Sequence, residues 1–445
     1  MSYIPHTDLE RQQMLAAIGV TTIEDLFEAV PSSHRFPRLN LPAPLSEMEV
    51  SAELQAYAEA NEHAGEFAIF RGAGAYHHFA PSAINHLLLR GEFYTAYTPY
   101  QPELSQGTLQ ATFEYQSMLC ALTGMDAANA SHYDGATSLA EAVTVAYEVG
   151  RGKRKKVILS PGIHPMYREV TRTYHQGRDI KIVGDKGRAD LSDLIDMLDE
   201  NTAMLAIQYP NYFGQIEHVA LLAEKVHEVG ALLVMVVNPT ALALFKSPGE
   251  LGADIVVGEG QPLGIPLSFG GPYLGFFACR SEYVRKIAGR IVGETVDAQG
   301  RKAYVMTLRP REQDIRRDKA SSNICTNQGL MALAACVYLS LMGKQGLRKV
   351  AELCYHKAHY AAAQINALPG YSVDMSKPFF HEFVVKCPKP VSEVNQALIE
   401  RGIVGGVDLG ADYPGMTDHM LVAVTEVNSK DEIDAMVEGL KVSAV

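Results

Sequence analysis

Cysteine is sparse and scattered in this chain of 445 residues: Cys120, Cys279, Cys325, Cys336, Cys354 and Cys387 include no CxxC pair. The pattern excludes a small secreted disulfide framework and predicts reduced thiols in a cytoplasmic protein. No Cys/His spacing suits a tetrahedral zinc site. The nearest approaches, His77-His78 and the His356/His359 pair, read as packing or surface features, so no metal is expected. Long apolar runs are missing too. The longest, residues 231–237, falls far below the roughly 20 residues of a membrane-spanning helix. The polar first eight residues lack the basic-then-apolar order of a signal peptide. Positive charge is in deficit, 39 Lys and Arg against 51 Asp and Glu, for a formal net charge of -12. Phosphate-backbone binding needs clustered positive charge, so no nucleic-acid partner is expected despite short basic runs at 151–156 and 309–319.

What is present points to a folded protein. A 47% hydrophobic content over this length allows a large core and more than one domain, and 20% charged residues is ordinary for a globular chain. Residues 1–66 read as a helical arm. Thr22 and Asp25 predict a helix start there, with Leu26, Phe27 and Val30 at helical spacing, before prolines 31, 37, 42 and 44 impose an extended stretch. A second helix is expected over about 47–62, a long one from 105 to a stop at Gly124, and another after Asp134-Gly135. Beyond residue 152 the rhythm changes. Strand-like runs at 156–159, 180–183, 203–208, 232–237, 254–257 and 274–278 alternate with helical stretches at 165–175, 191–198 and 219–229. Near-continuous apolar strands, each followed by a helix, require a parallel sheet covered on both faces. Helices at 327–341 and 347–368 then lead to strands at 382–387 and 420–424 and helices at 392–401 and 430–441. The expected division is the arm, a large α/β domain over 67–330 and a smaller α+β domain over 331–445.

In such sheets ligands sit beyond the carboxyl ends of the strands, where helix N-termini bind phosphate. Asp134, Gly135, Ala136, Thr137 and Ser138 open a helix with small residues and hydroxyls suited to an anion, though a capped helix start looks the same. The order of parts resembles fold-type-I pyridoxal-phosphate (PLP) enzymes, which implies a mostly parallel seven-stranded sheet. In that fold an Asp ends one central strand and a Lys some 25 residues later holds the cofactor. Here the 232–237 strand ends in Asn238. Gln261 or Pro262 stands where the Lys belongs, depending on the direction of counting, and no lysine occurs between Lys246 and Lys286. The chain by itself should therefore run no PLP chemistry.

Two long motifs sharpen the resemblance. Tyr97-Thr-Pro-Tyr-Gln-Pro-Glu-Leu-Ser-Gln-Gly107 and Arg311-Glu-Gln-Asp-Ile-Arg-Arg-Asp-Lys-Ala-Ser-Ser-Asn-Ile-Cys-Thr326 resemble signatures of the glycine decarboxylase P-protein of the glycine cleavage system. The segments Gly252-Ala-Asp-Ile-Val-Val-Gly258 and Gly270-Gly-Pro272 support the match. That family occurs as one long chain of two related halves or as two subunits, and the lysine-free half resembles subunit 1. The resemblance implies PLP on a subunit 2, in a heterodimer or its α2β2 doubling. Glycine would lose CO2 there and its aminomethyl group would pass to the lipoyl arm of the H-protein. The isolated chain is expected to be inactive.

Fold-type-I dimers build active sites at the subunit interface, so this chain would lend residues. Tyr97, Thr98, Tyr100, Gln101 and Glu103 are the first candidates: phenols and an amide can donate to phosphate or carboxylate, and Pro99 and Pro102 stiffen the loop. A rigid loop of packed tyrosines with no ligand contact is the other reading. Arg316, Arg317 and Lys319 suit a substrate carboxylate or an acidic lipoyl carrier, or equally an interface salt-bridge network with Asp314 and Asp318. Asn323 and Thr326 are further site candidates, while Cys325 reads as a packed thiol. Two other functions stay open: a free-standing PLP-fold pseudoenzyme with a binding or regulatory role, and a PLP enzyme using Lys246, which falls only eight residues past Asn238.

Overall fold

The computed structural model describes residues 6–187, 190–325 and 327–443. The chain divides into two compact units, Met1–Glu62 and His63–Val445. In the first, Thr7 and Ser46 each open a helix through a reciprocal capping box, Asp8–Ile18 with Glu10 and Glu47–Glu59 with Glu49. No residue of either helix is buried. The helix expected at Thr22 does not form. Thr22 and Asp25 exchange the hydrogen bonds of a capping box, but only a 3-10 turn, Glu24–Phe27, follows. Pro31 ends the stretch by removing an N–H and restricting Val30.

The second unit opens with β1 (Ala68–Ile69). Its main sheet holds β2 (Ala127–Ala128), β3 (Lys156–Leu159), β4 (Lys181–Val183), β5 (Thr202–Tyr209), β6 (Leu232–Val237), β7 (Ile255–Glu259) and β8 (Gly275–Cys279). The spatial order is β2-β8-β7-β6-β5-β3-β4, with only β8 running against the rest. Alternate residues of the central strands feed two different cores. Leu205, Ile207, Leu233, Met235 and Val256 face one, while Met204, Ala206, Val234, Val236 and Val257 face the other. Both faces are covered, which is why these strands read as unbroken apolar runs.

A hairpin of β9 (Ile291–Val296) and β10 (Lys302–Thr307) follows, an element the sequence reading did not anticipate. Near the C-terminus come β11 (Ser372–Val373), β12 (Glu382–Lys386), β13 (Ile403–Val404), β14 (Val407–Asp408) and β15 (His419–Ala423). β13 pairs with β1 and the other four form an antiparallel sheet. The two helices expected over 327–368 are one, Gly329–Asn366, broken by the backbone of Gly343. Among the described residues it alone is long and apolar enough to cross a bilayer by length and composition. Interspersed alanines and polar residues hid that length from a search for unbroken runs. It packs against Gln106–Thr123 and Ser82–Leu88.

Candidate functional site

Asn238 follows the last residue of β6. Its Oδ1 accepts from the Thr240 N–H at 3.0 Å and its Nδ2 donates to His381 Nε2 at 3.0 Å. Burial, helped by neighbouring His78, drives His381 down to about 3, so the ring is neutral and free to accept. Two residues after β7, Gln261 is fully buried and its amide fully used. Oε1 accepts from Tyr76 N at 2.9 Å, and Nε2 donates to the carbonyls of Tyr76 at 2.9 Å and Ile265 at 2.7 Å. Pro262 is buried beside it, and Lys246 is exposed. The Tyr76 hydroxyl donates to Glu382 Oε2 at 2.9 Å, and Glu382 Oε1 accepts from Ala73 N at 2.7 Å. Burial pushes Glu382 up to about 7 against these two donors. The cleft between Asn238 and Gln261 is thus filled by residues 73–76, Gln261, His381 and Glu382, none of them paired there by sequence proximity.

The Asp134–Ser138 corner does receive an anion, but from the chain itself. Glu259, last residue of β7, accepts the Gly135 N–H on Oε2 at 3.1 Å, and the Gln261 and Leu274 N–H groups on Oε1 at 3.1 and 2.8 Å. Burial pushes it up to about 7 in spite of those three donors. The other donors expected to face a ligand turn inward. Thr137 N donates to Asp134 Oδ1, and the Thr137 and Ser138 hydroxyls both donate to the Asp134 carbonyl, at 3.0 and 2.8 Å. Ala136 is buried in the same turn. The Tyr167 hydroxyl closes the approach, lying 2.3 Å from where a Cβ on Gly135 would stand. No motif flagged Glu259; a carboxylate directly after a buried strand was the only signal.

The surface motifs lie apart from this filled cleft. Tyr97 is 80% exposed and Tyr100 46%; Gln101 and Glu103 are exposed, and Thr98 half-buried. Tyr97, Thr98 and Pro99 line a cavity of about 250 Å³ together with Arg290, Asn327 and Gln328. The first motif therefore meets the residues that follow the second. A second link is the Arg309 guanidinium, 5.1 Å from the centre of the Tyr100 ring and paired with Asp314 at 2.9 Å. Arg316, Arg317, Lys319 and Asn323 are exposed. None of the three cations forms an ion pair within the chain among the described residues, and Asp314 is taken by Arg309. Cys325 is exposed, not packed as expected. Its neighbour Ser322 donates to the buried Glu141 at 2.8 Å, fixing the segment to the Gly135–Val149 helix. Thr326 lies outside the described residues. Elsewhere His78, Cys354 and Glu426 converge with possible ligand atoms within 4.8 Å of one another. The Glu426 carboxylate is already engaged by His78 Nδ1, Phe79 N and the Cys354 thiol.

Comparison with known proteins covers the whole chain. Residues 1–440 match the family model described as glycine cleavage system P-protein. The chain is 54% identical over 445 residues to the probable glycine dehydrogenase (decarboxylating) subunit 1 of Thermomicrobium roseum, covering 99% of both. It is 50% identical to the protein of the same name from Geobacillus kaustophilus, covering 98% of both. A crystal structure of glycine decarboxylase (P-protein) of the glycine cleavage system, in inhibitor-bound form, superposes with a TM-score of 0.91 at 42% identity over all of both chains. A sphingosine-1-phosphate lyase from Burkholderia pseudomallei, 17% identical with a TM-score of 0.65 over 93% of this chain and 94% of that one, shares the fold.

Proposed function

The chain belongs to the P-protein family of the glycine cleavage system, and from that premise we propose that it is the subunit of glycine dehydrogenase (decarboxylating) that holds no PLP of its own. The observation that carries this is the Glu259 carboxylate on the Gly135 N–H. A phosphate at that helix start would have to displace a fixed acceptor, and a pyridine ring would have to displace Tyr76 and the saturated Gln261 amide. No lysine follows β7, and the nitrogen partner expected at the end of β6 is an uncharged Asn238. The residues present do not fit PLP. A free-standing ligand-binding role finds no support in a cleft packed with the chain's own side chains.

In this reading subunit 2 holds PLP, the electron sink for glycine decarboxylation, in a cytoplasmic heterodimer or α2β2 assembly. This chain lends the loop of Tyr97, Thr98, Tyr100, Gln101 and Glu103, whose exposed phenols and amide orient glycine or the cofactor phosphate across the interface. Arg316, Arg317 and Lys319, exposed and unpaired within the chain, with Asn323 and Thr326, face the substrate carboxylate or guide the acidic lipoyl carrier, the H-protein, to the shared site. An unpaired arginine suits carboxylate recognition because its planar fork binds both oxygens. The test is assembly. The purified chain mixed with PLP should stay colourless and keep no borohydride-fixed pyridoxyl group. Labelled bicarbonate should exchange into glycine only after subunit 2 is added. A pyridoxyl group fixed to this chain, or exchange by the chain alone, would end the proposal.

A further inference from the structure

We propose that Arg309 and Gln106 are positioning residues that hold the 97–103 loop in its working shape on the β9–β10 hairpin. The inference rests on the reading that this loop enters the partner's active site. The loop's own hydrogen bonds are short-range: Tyr100 N to Thr98 O, Leu104 N to Gln101 O and Ser105 N to Pro102 O. They shape it without fixing it to the body, and the two prolines stiffen it without aiming it.

The aim comes from two side chains. Gln106 Nε2 donates to Pro102 O at 2.7 Å and to Tyr304 O at 2.8 Å, while its Oε1 accepts from Tyr304 N at 2.9 Å. One amide thus pairs with the outer edge of β10 as another strand would and grips the loop at the same time. Arg309, two residues past β10, lays its guanidinium over the Tyr100 ring at 5.1 Å, and Asp314 fixes that guanidinium from the other side at 2.9 Å. A cation over an aromatic face holds the ring's plane while leaving its hydroxyl free to face a ligand. Asp314, Arg309 and Tyr100 therefore join the two longest motifs of the sequence, and the hairpin is the frame that carries the join.

A loop that is ordered only part of the time lowers apparent affinity by the fraction competent. Arg309→Met should speed amide hydrogen exchange over residues 97–105 of the full chain by about two- to five-fold, and should raise the glycine KM of the assembled enzyme by a similar factor with kcat nearly unchanged. Arg309→Lys, which keeps a cation over the ring, should restore much of both; Gln106→Leu should exceed Arg309→Met in both. Asp314→Asn serves as a surface variant that disturbs the same contact from outside. Unaltered amide exchange in folded Arg309→Met and Gln106→Leu would overturn the positioning role. A loosened loop with unaltered glycine kinetics would instead overturn the reading that the loop serves the partner's site.

Discussion

Glu382 lies enclosed between the Ala73 N–H and the Tyr76 hydroxyl, and burial lifts its pKa from 4.5 to about 7. A carboxyl group raised in this way binds more protons folded than unfolded between those two values. Its contribution to stability is complete below about pH 4.5 and is lost as the pH climbs to about 7. Glu259 and Glu141, also raised to about 7 by burial, act with the same sign. Glu426 acts with the opposite sign. Burial raises it, but the hydrogen bond and charge of His78 outweigh that together and leave it at about 2. Denaturant unfolding at pH 5 and pH 8 should find the chain more stable at pH 5. Glu382→Gln should shrink that difference by on the order of 2–3 kcal/mol; a difference left intact would clear Glu382 as its source. At this scale the sequence was legible only in part. That Asn238 follows a strand and that no amine follows β7 could be read directly. The residues that fill the cleft could not, because Glu259 meets Gly135 across 124 residues, Gln261 meets Tyr76 across 185 and Tyr76 meets Glu382 across 306.

Gly343 breaks the Gly329–Asn366 helix with φ 56 and ψ -176, a backbone region open in practice only to glycine. The sequence reading ended one helix at 341 and began another at 347, so the break was legible and the continuity across it was not. No atom lies within 4 Å of a Cβ built at Gly343, so the cost of a side chain there is conformational, not steric. Gly343→Ala should lower stability by about 1–3 kcal/mol in equilibrium unfolding. A gain in stability accompanied by added helical circular dichroism would mean that the break is tolerated and not required. The buried strands and their helices were legible because apolar runs with both faces covered leave a strong pattern. The β9–β10 hairpin was not, since β9 turns from buried Ile291 and Val292 to exposed Glu294, Thr295 and Val296 and shows neither an apolar run nor strict alternation. Its one local mark was the turn closed by Asp297, which accepts the Gln299 and Arg301 N–H groups ahead of β10. The frame on which the tyrosine loop rests was thus the least visible element in the chain.

Helices of 11 and 13 residues, as in the arm, are marginal in water on their own. Capping boxes at Thr7 and Ser46 secure their first turns, yet neither buries a residue, and Leu9, Ile18, Leu41, Met48, Leu54 and Tyr57 are all exposed. Apolar side chains left open along that much of a chain mark a surface meant for a partner, and relatives named subunit 1 imply a second subunit. The arm should therefore gain its stability from assembly. Mild proteolysis of the isolated chain should cut within residues 6–62, whereas the mixture with subunit 2 should resist. Met48→Glu and Leu54→Glu, at positions 78% and 61% exposed, remove no packing from the free chain and should leave its unfolding midpoint nearly unchanged. Sedimentation of the mixture should show each weakening association by about ten-fold or more if these side chains are covered in the complex. Equal affinity, with the arm cut as quickly in the mixture as alone, would mean that the partner grips the His63–Val445 unit and leaves the arm free.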